Sequence, residues 1–169
     1  MIGLDRPAYR NRPPWSLCLH LFGRDPSEAA AAQLAAIVQS SDDAIVSKTL
    51  DGTILTWNES AERIFGYSAD EIVGSSIFTL ISPDLHDEER ALLERISRGE
   101  HVAHFETIRR HKSGRLFPVA VSVSPVRDGT GTIVGAASIK RDISDYKLAL
   151  ETSAQLAAII QSFPRTATG

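Results

Sequence analysis

The sequence predicts an α+β domain in which short helices cover one face of an antiparallel sheet. Three observations predict it. Two strand-like segments joined by Asp-Gly come first, several short helical segments with capping residues follow, and three segments of alternating apolar and polar residues come last. Glycine-containing turns between consecutive strands are typical of hairpins, so neighbouring strands are expected to run antiparallel.

The first pair of strands is expected at residues 44–50 and 53–57. Asp51 and Gly52 stand between them, and Asp-Gly readily supplies the positive φ angles that a tight type I′ turn requires. The two segments are therefore predicted to form a β-hairpin.

Two short helices are expected after the hairpin. Asn58 is predicted to cap the first helix, which ends at Gly66. Ser68 and Glu71 have the spacing of a capping box, which indicates a second short helix ending at Gly74.

A longer helix is predicted over residues 83–98, with Ser82 as its cap and Gly99 after its end. Its apolar stripe consists of Leu85, Leu92, Leu93 and Ile96. The charged residues are interpreted as a solvated face with i,i+4 ion pairs, not as catalytic groups; they are Glu88, Glu89 and Glu94 with Arg90, Arg95 and Arg98.

Three strands are predicted at about residues 102–111, 116–126 and 132–143, separated by glycine-containing turns. In the middle strand the apolar side chains alternate with small ones, so one face of the sheet is expected to be buried. The residues of that face are Phe117, Val119, Val121 and Val123.

The end of the chain repeats its beginning. Residues 32–40 recur at 154–162, identical except that Val38 becomes Ile160. Such a period is typical of arrays in which each module follows the same short helix, so we expect a piece of a longer array. The predicted organisation is a leader at 1–25, an entry helix at 26–40, a globular domain at 41–144, an exit helix at 145–163 and a tail at 164–169.

Composition excludes several classes of function. The formal net charge of −3 gives no basic surface for nucleic acid and no membrane-seeking patch. Cys18 is the single cysteine, which excludes an internal disulfide and a cysteine-based zinc site. The apolar run at residues 15–22 is far shorter than the ~20 residues of a membrane span. We therefore expect a cytoplasmic protein without nucleic-acid or membrane partners.

Taken in order, several segments resemble the PAS sensory domains of bacterial sensor histidine kinases and multi-PAS signalling proteins. The resemblance covers about residues 36–148, and it is carried by residues 51–58, 61–68, 71–74, 109–114 and 140–144. It implies a five-stranded sheet around a small cavity, flanked by amphipathic helices. It also implies a role in sensing or relaying signals, with any kinase or cyclase activity in an output domain outside this chain.

The resemblance also implies candidate site residues. The candidate cavity lining consists of Trp57, Phe65, Ile72, Phe105, Val121, Val123, Ala136 and Ser138. Asp142, Ile143 and Ser144 stand where PAS sensors commonly carry Asp-Ile-Thr, the joint between the last strand and the output helix. A simpler and compatible interpretation is that Asp142 only ends the strand and caps that helix.

No bound cofactor is predicted, and haem and non-covalently bound flavin are the alternatives. Flavin photosensors of this family need a cysteine beside the cavity and commonly a glutamine on the last strand, whereas Cys18 lies outside the domain and Lys140 takes the glutamine position. His86 lies where haem-binding relatives place the axial ligand, but counting from Gly99 puts Glu88 or Glu89 nearer to it. We interpret His86 as a solvated first-turn histidine and expect no metal site.

Two functions remain open. In the preferred one, the domain forms a homodimer and relays conformational change to an output or neighbouring PAS domain; in the alternative, it binds a small molecule in its cavity. Small residues on the last strand favour a cavity, and aromatic residues favour a filled core. The residues expected to form the dimer interface are Leu34, Ile37 and Val38 of the entry helix and Leu150, Leu156, Ile159, Ile160 and Phe163 of the exit helix.

Overall fold

The computed structural model describes residues 26–162 of the chain. These residues belong to two compact units, which divide between residues 40 and 41. In the first unit, helix α1 (Pro26–Gln39) ends where Ser40 donates its amide to Ala36 O (2.9 Å) and its hydroxyl to Ile37 O (3.2 Å).

The second unit contains an antiparallel five-stranded sheet in the order β2-β1-β5-β4-β3. This arrangement confirms the predicted fold class. Its elements are β1 (Ala44–Lys48), β2 (Ile54–Trp57), α2 (Glu59–Phe65), α3 (Ala69–Ile72), two 3₁₀ helices (Ile77–Leu80 and Pro83–Leu85), α4 (His86–Ser97), β3 (Val102–Arg110), β4 (Leu116–Arg127), β5 (Ile133–Asp142) and α5 (Ser144–Ser162).

The hairpin of β1 and β2 forms as predicted, but its turn is different. Gly52 donates its amide to Thr49 O (3.1 Å), so the turn comprises residues 49–52. Gly52 has a φ of 90°, whereas Asp51 is not among the described residues with positive φ. The type I′ prediction is therefore wrong: the loop is longer, and only its glycine adopts the left-handed conformation.

Helix α4 is shorter than predicted. Residues 83–85 form a separate 3₁₀ turn, in which Leu85 donates its amide to Ser82 O (2.9 Å). Leu85 has φ −104° and ψ 7°, which interrupts the helical backbone, so α4 begins only at His86. The Ser82 side chain makes no capping bond.

The buried face of the sheet and the helices enclose one core. The alternation predicted for β4 is confirmed, because Phe117, Val119, Val121 and Val123 are all buried. The ring of Phe65 on α2 packs against Phe117 with a centroid distance of 5.5 Å. Helix α4 adds Leu92, Leu93 and Ile96 of its predicted stripe. The fourth stripe residue, Leu85, lies in the preceding 3₁₀ helix and packs half-buried against the core.

Asn58 joins β1 to α2 from a fully buried position. Its Oδ1 accepts the amide of Ala61 (3.0 Å), as the predicted helix cap should, and also the amide of Ile45 on β1 (2.9 Å). Its Nδ2 donates to Asp43 O (3.1 Å). One side chain thus satisfies backbone groups on both elements.

We expect Asn58→Ala to lower the free energy of unfolding by about 2–3 kcal/mol, since it removes a cap and leaves buried backbone groups unsatisfied. Ser76→Ala is the matched control, because the exposed Ser76 caps a 3₁₀ helix through one bond to the Phe78 amide (3.3 Å). Its loss should be below about 1 kcal/mol. Equal losses in denaturant titrations of both variants would contradict the bridging role.

Candidate functional site

The eight candidate lining residues lie together in the core. All are buried except Phe105, which is half-buried and packs against the same core. Trp57 packs on Phe65 (centroids 5.5 Å apart) and donates its indole N–H to Tyr67 O (3.0 Å). That these side chains line a ligand cavity stays a prediction.

Four charged side chains share this buried region, although they lie far apart in the sequence. Lys48, Glu89, Arg109 and Lys140 are each only 1–2% exposed. We call these four residues the core charge cluster. A buried charge is costly unless it is paired and hydrogen-bonded, so the contacts of each member define what the cluster can do.

Glu89 is the centre of the core charge cluster. Its Oε1 accepts from Lys48 Nζ, and its Oε2 accepts from Arg109 Nη2 at 3.1 Å. Lys48 lies on β1 and Arg109 on β3, and β5 and β4 separate these two strands in the sheet. One carboxylate of α4 therefore fastens the helix to two distant strands.

Arg109 has further partners. Its Nη1 donates to Thr107 Oγ1 and Ile108 O, both at 2.9 Å, and to Glu88 Oε1 at 3.3 Å. Thr107 also donates to Glu88 Oε1 (2.6 Å). The side chain of Glu88 is 37% exposed, so this second ion pair lies at the edge of the buried region.

Lys140 is the least well paired member. Its Nζ donates to Ser138 Oγ, and this hydroxyl donates to Val46 O at 3.1 Å. The cross-strand partners of Lys140 are Ala44 on β1 and Val121 on β4. The amine thus lies beside Ser138, one of the small residues expected to leave room in a cavity.

Burial shifts the pKa values of the cluster. Burial lowers the pKa of Lys48, and contact with Glu89 offsets part of that shift. Burial alone would raise the pKa of Glu89, but Lys48 and Arg109 outweigh it, and the pKa is lowered. Burial, with the nearby charge of Lys48, holds the pKa of Lys140 well below its usual range.

Two sequence-based interpretations of α4 need correction. Glu89 does not lie on a solvated face, because its spacing to Leu92 and Ile96 puts it on the buried face of the helix. That spacing was the signal that could have identified it. His86 is half-buried rather than solvated: its ring packs on Phe78 (centroids 4.8 Å apart) and its Nε2 donates to Ile81 O (3.3 Å).

The joint between β5 and α5 is anchored at several points. Asp142 Oδ1 accepts the amide of Ser144 (2.8 Å) and its hydroxyl, so Asp142 satisfies the first amide of α5. Ile143 is buried and donates its amide to Pro118 O on β4 (3.1 Å). Lys147 forms an ion pair with Glu106 on β3. The start of α5 is thus attached to the sheet.

Beyond this joint, α5 has no buried residue. Its apolar side chains include Leu156, Ile159 and Ile160, which are 56%, 54% and 71% exposed. On α1, Leu34 and Ile37 are exposed and Val38 is half-buried. Phe163, Cys18 and the rest of the expected leader lie outside the described residues.

Across residues 26–162, no helix has the length and apolar character needed to cross a membrane. Within the same range, no group of three or more histidine, cysteine and acidic side chains could hold a metal ion.

Comparison with known proteins finds a matching family model and similar sequences. The family model described as the PAS fold matches residues 32–143. Phytochrome B of Oryza sativa subsp. indica is 26% identical over 139 residues, covering 79% of this chain but 12% of the phytochrome. The chain thus spans only a small part of that relative's length.

Solved structures show the same relationship. The PAS domain of a Colwellia psychrerythraea protein has a TM-score of 0.64 and 26% identity, covering 69% of this chain and 98% of that domain. The PAS domain of an HTR-like protein from Haloarcula marismortui has a TM-score of 0.60 and 26% identity, covering 69% and 94%. The PAS family model covers most of the domain, and the sheet order and the short helices are those of the PAS fold. The chain belongs to the PAS family of sensory domains.

Proposed function

We propose that this PAS domain is a relay module, which dimerises and passes conformational change through α5 to an output domain outside this chain. The observation that supports it most is the anchored joint at Asp142 and Ile143. We place the module in the cytoplasm, in a two-component pathway with a histidine kinase as its output.

Strand β5 provides the route for such a change. It lies between β1 and β4, and it carries Lys140 of the core charge cluster. Two residues after Lys140 the strand ends at Asp142, and only Ile143 separates it from the start of α5. A shift of β5 would therefore move the start of α5 directly, as coupled elements do in switching proteins.

The exposed side chains of α5 support dimerisation. Leu156, Ile159 and Ile160 recur at three- and four-residue spacing, so they lie on one side of the helix. Exposed apolar surface of this kind is typical of interaction sites. A second copy of the chain offers the same surface, and symmetric pairing would bury both.

Binding of a small molecule in the core is the alternative function. The contact between Lys140 and Ser138 supports the relay over this alternative, because a side chain of the protein takes the space beside the small residues of β5. Mass spectrometry of small molecules released from the purified protein, with its absorbance spectrum, separates the two. A defined molecule at one copy per chain would favour the alternative.

The role of the joint is tested by Asp142→Ala. We expect a loss of about 1 kcal/mol in the free energy of unfolding, as for a removed helix cap. In a fusion to a histidine kinase output, the same variant should uncouple kinase activity from the domain. Asp145→Ala, at an exposed first-turn position of α5, is the control. Normal signalling by the Asp142→Ala fusion would refute the coupling.

Dimerisation is tested by sedimentation equilibrium at tens of micromolar protein. The intact chain should be a dimer, and Ile159→Asp with Ile160→Asp should make it monomeric by placing charges in the apolar interface. Ala154→Asp with Gln161→Asp adds the same charges at exposed positions on the opposite side of α5 and should leave the dimer intact. A monomeric intact chain, or a dimer that survives the isoleucine changes, would overturn the proposed interface.

A further inference from the structure

We propose that Lys140 is a proton-binding site: its amine is uncharged in the folded protein, and protonation loosens β5 and thereby regulates the joint with α5. The first half concerns the core alone. The regulation of the joint rests on the proposed relay function, and a different experiment tests it.

The geometry around Lys140 does not suit an ammonium group. An ammonium carries three N–H donors, and the acceptor that the structure gives it is Ser138 Oγ. The hydroxyl proton of Ser138 is already donated to Val46 O. A neutral amine needs fewer acceptors and carries no charge into a site that is 2% exposed.

Two of the three charges facing Lys140 favour its neutral form, because Lys48 and Arg109 are cations and only Glu89 is a carboxylate. Lys48 faces it from β1, Arg109 from β3 and Glu89 from α4, whereas its cross-strand partner on β4 is the apolar Val121. Both oxygens of Glu89 are already bound by Lys48 and Arg109. A third cation would therefore have no carboxylate of its own.

A count of charge leads to the same result. With Lys140 neutral, the cations of Lys48 and Arg109 balance the carboxylates of Glu89 and its neighbour Glu88, which also contacts Arg109. Protonation of Lys140 adds one unpaired positive charge to the buried region. The lowered pKa of Lys140 agrees with this balance.

Protonation of Lys140 would act close to the joint between β5 and α5. Lys140 pairs with Ala44 on one side and Val121 on the other, and it lies two residues before Asp142. An unpaired charge there favours conformations in which β5 separates from its neighbours and lets water reach the amine. Such conformations weaken the bond from the Ile143 amide to Pro118 O.

The effect on stability has a defined sign. Because the folded pKa of Lys140 lies below the unfolded value, the unfolded chain binds more protons between these two pH values, and stability falls as pH falls through that range. Below the folded pKa of Lys140, the loss of stability is complete, and this group adds no further pH dependence.

The first test compares the unfolding equilibrium constants of wild type and Lys140→Met as a function of pH. The wild-type constant divided by the Lys140→Met constant should rise about tenfold for each unit of pH decrease between the unfolded and folded pKa values of Lys140. Lys147→Met is the control: Glu106 raises the pKa of Lys147, so its ratio should stay constant below the unfolded pKa. A ratio for Lys140→Met that does not change with pH would overturn the proton-binding site.

A measurement on the wild type avoids dependence on how well Lys140→Met folds. NMR titration of the lysine side chains should show Lys140 losing its proton at lower pH than Lys147. Titration of Lys140 at or above the pH of Lys147 would overturn the proposal.

The regulatory half is tested by hydrogen exchange of the Ile143 amide, corrected for the intrinsic effect of pH. Its protection should fall as Lys140 is protonated in wild type, and this change should be absent in Lys140→Met. If Lys140 titrates as expected and Ile143 does not respond, the regulation is refuted but the proton site stands. A different result, normal signalling by the Asp142→Ala fusion, would refute the relay function itself.

Discussion

The carboxylate of Glu89 is the contact on which the arrangement of this core depends. It holds α4 against the sheet by binding Lys48 on β1 and Arg109 on β3. Buried ion pairs do not always add stability over an apolar core, but removal of one partner leaves an uncompensated charge. The interaction therefore favours one placement of α4 strongly, because any shift of the helix breaks two contacts together.

This polar core connects the helices to the sheet in a way that suits relay. Glu89 and Arg109 join α4 to β3, Lys48 continues the contacts to β1, and Lys140 lies on β5 between them. Strand β5 then leads directly into α5, whose first residues are attached to β4 and β3. A change in charge at Lys140 would therefore act on β5 only a few residues before the start of α5.

Local signals predicted most of the fold. The Asn58 cap, the left-handed Gly66 after α2 and the alternation of β4 each depend on a few neighbouring residues. Sequence patterns do not predict the core charge cluster because it depends on tertiary packing: four residues from four elements share one buried region, and charged residues are usually solvated. The type I′ prediction for the turn at Gly52 was wrong because Asp-Gly is compatible with more than one loop length.

The most direct test of the central role of Glu89 is the free energy of unfolding of Glu89→Gln, measured by chemical denaturation at neutral pH beside Glu88→Gln. Glu89→Gln keeps the shape of the side chain but leaves Lys48 and Arg109 without their buried counter-charge, so we expect a loss of about 3–5 kcal/mol. Glu88→Gln, at a partly exposed ion pair, should lose less than about 1 kcal/mol. Equal stability of the two variants would contradict the account.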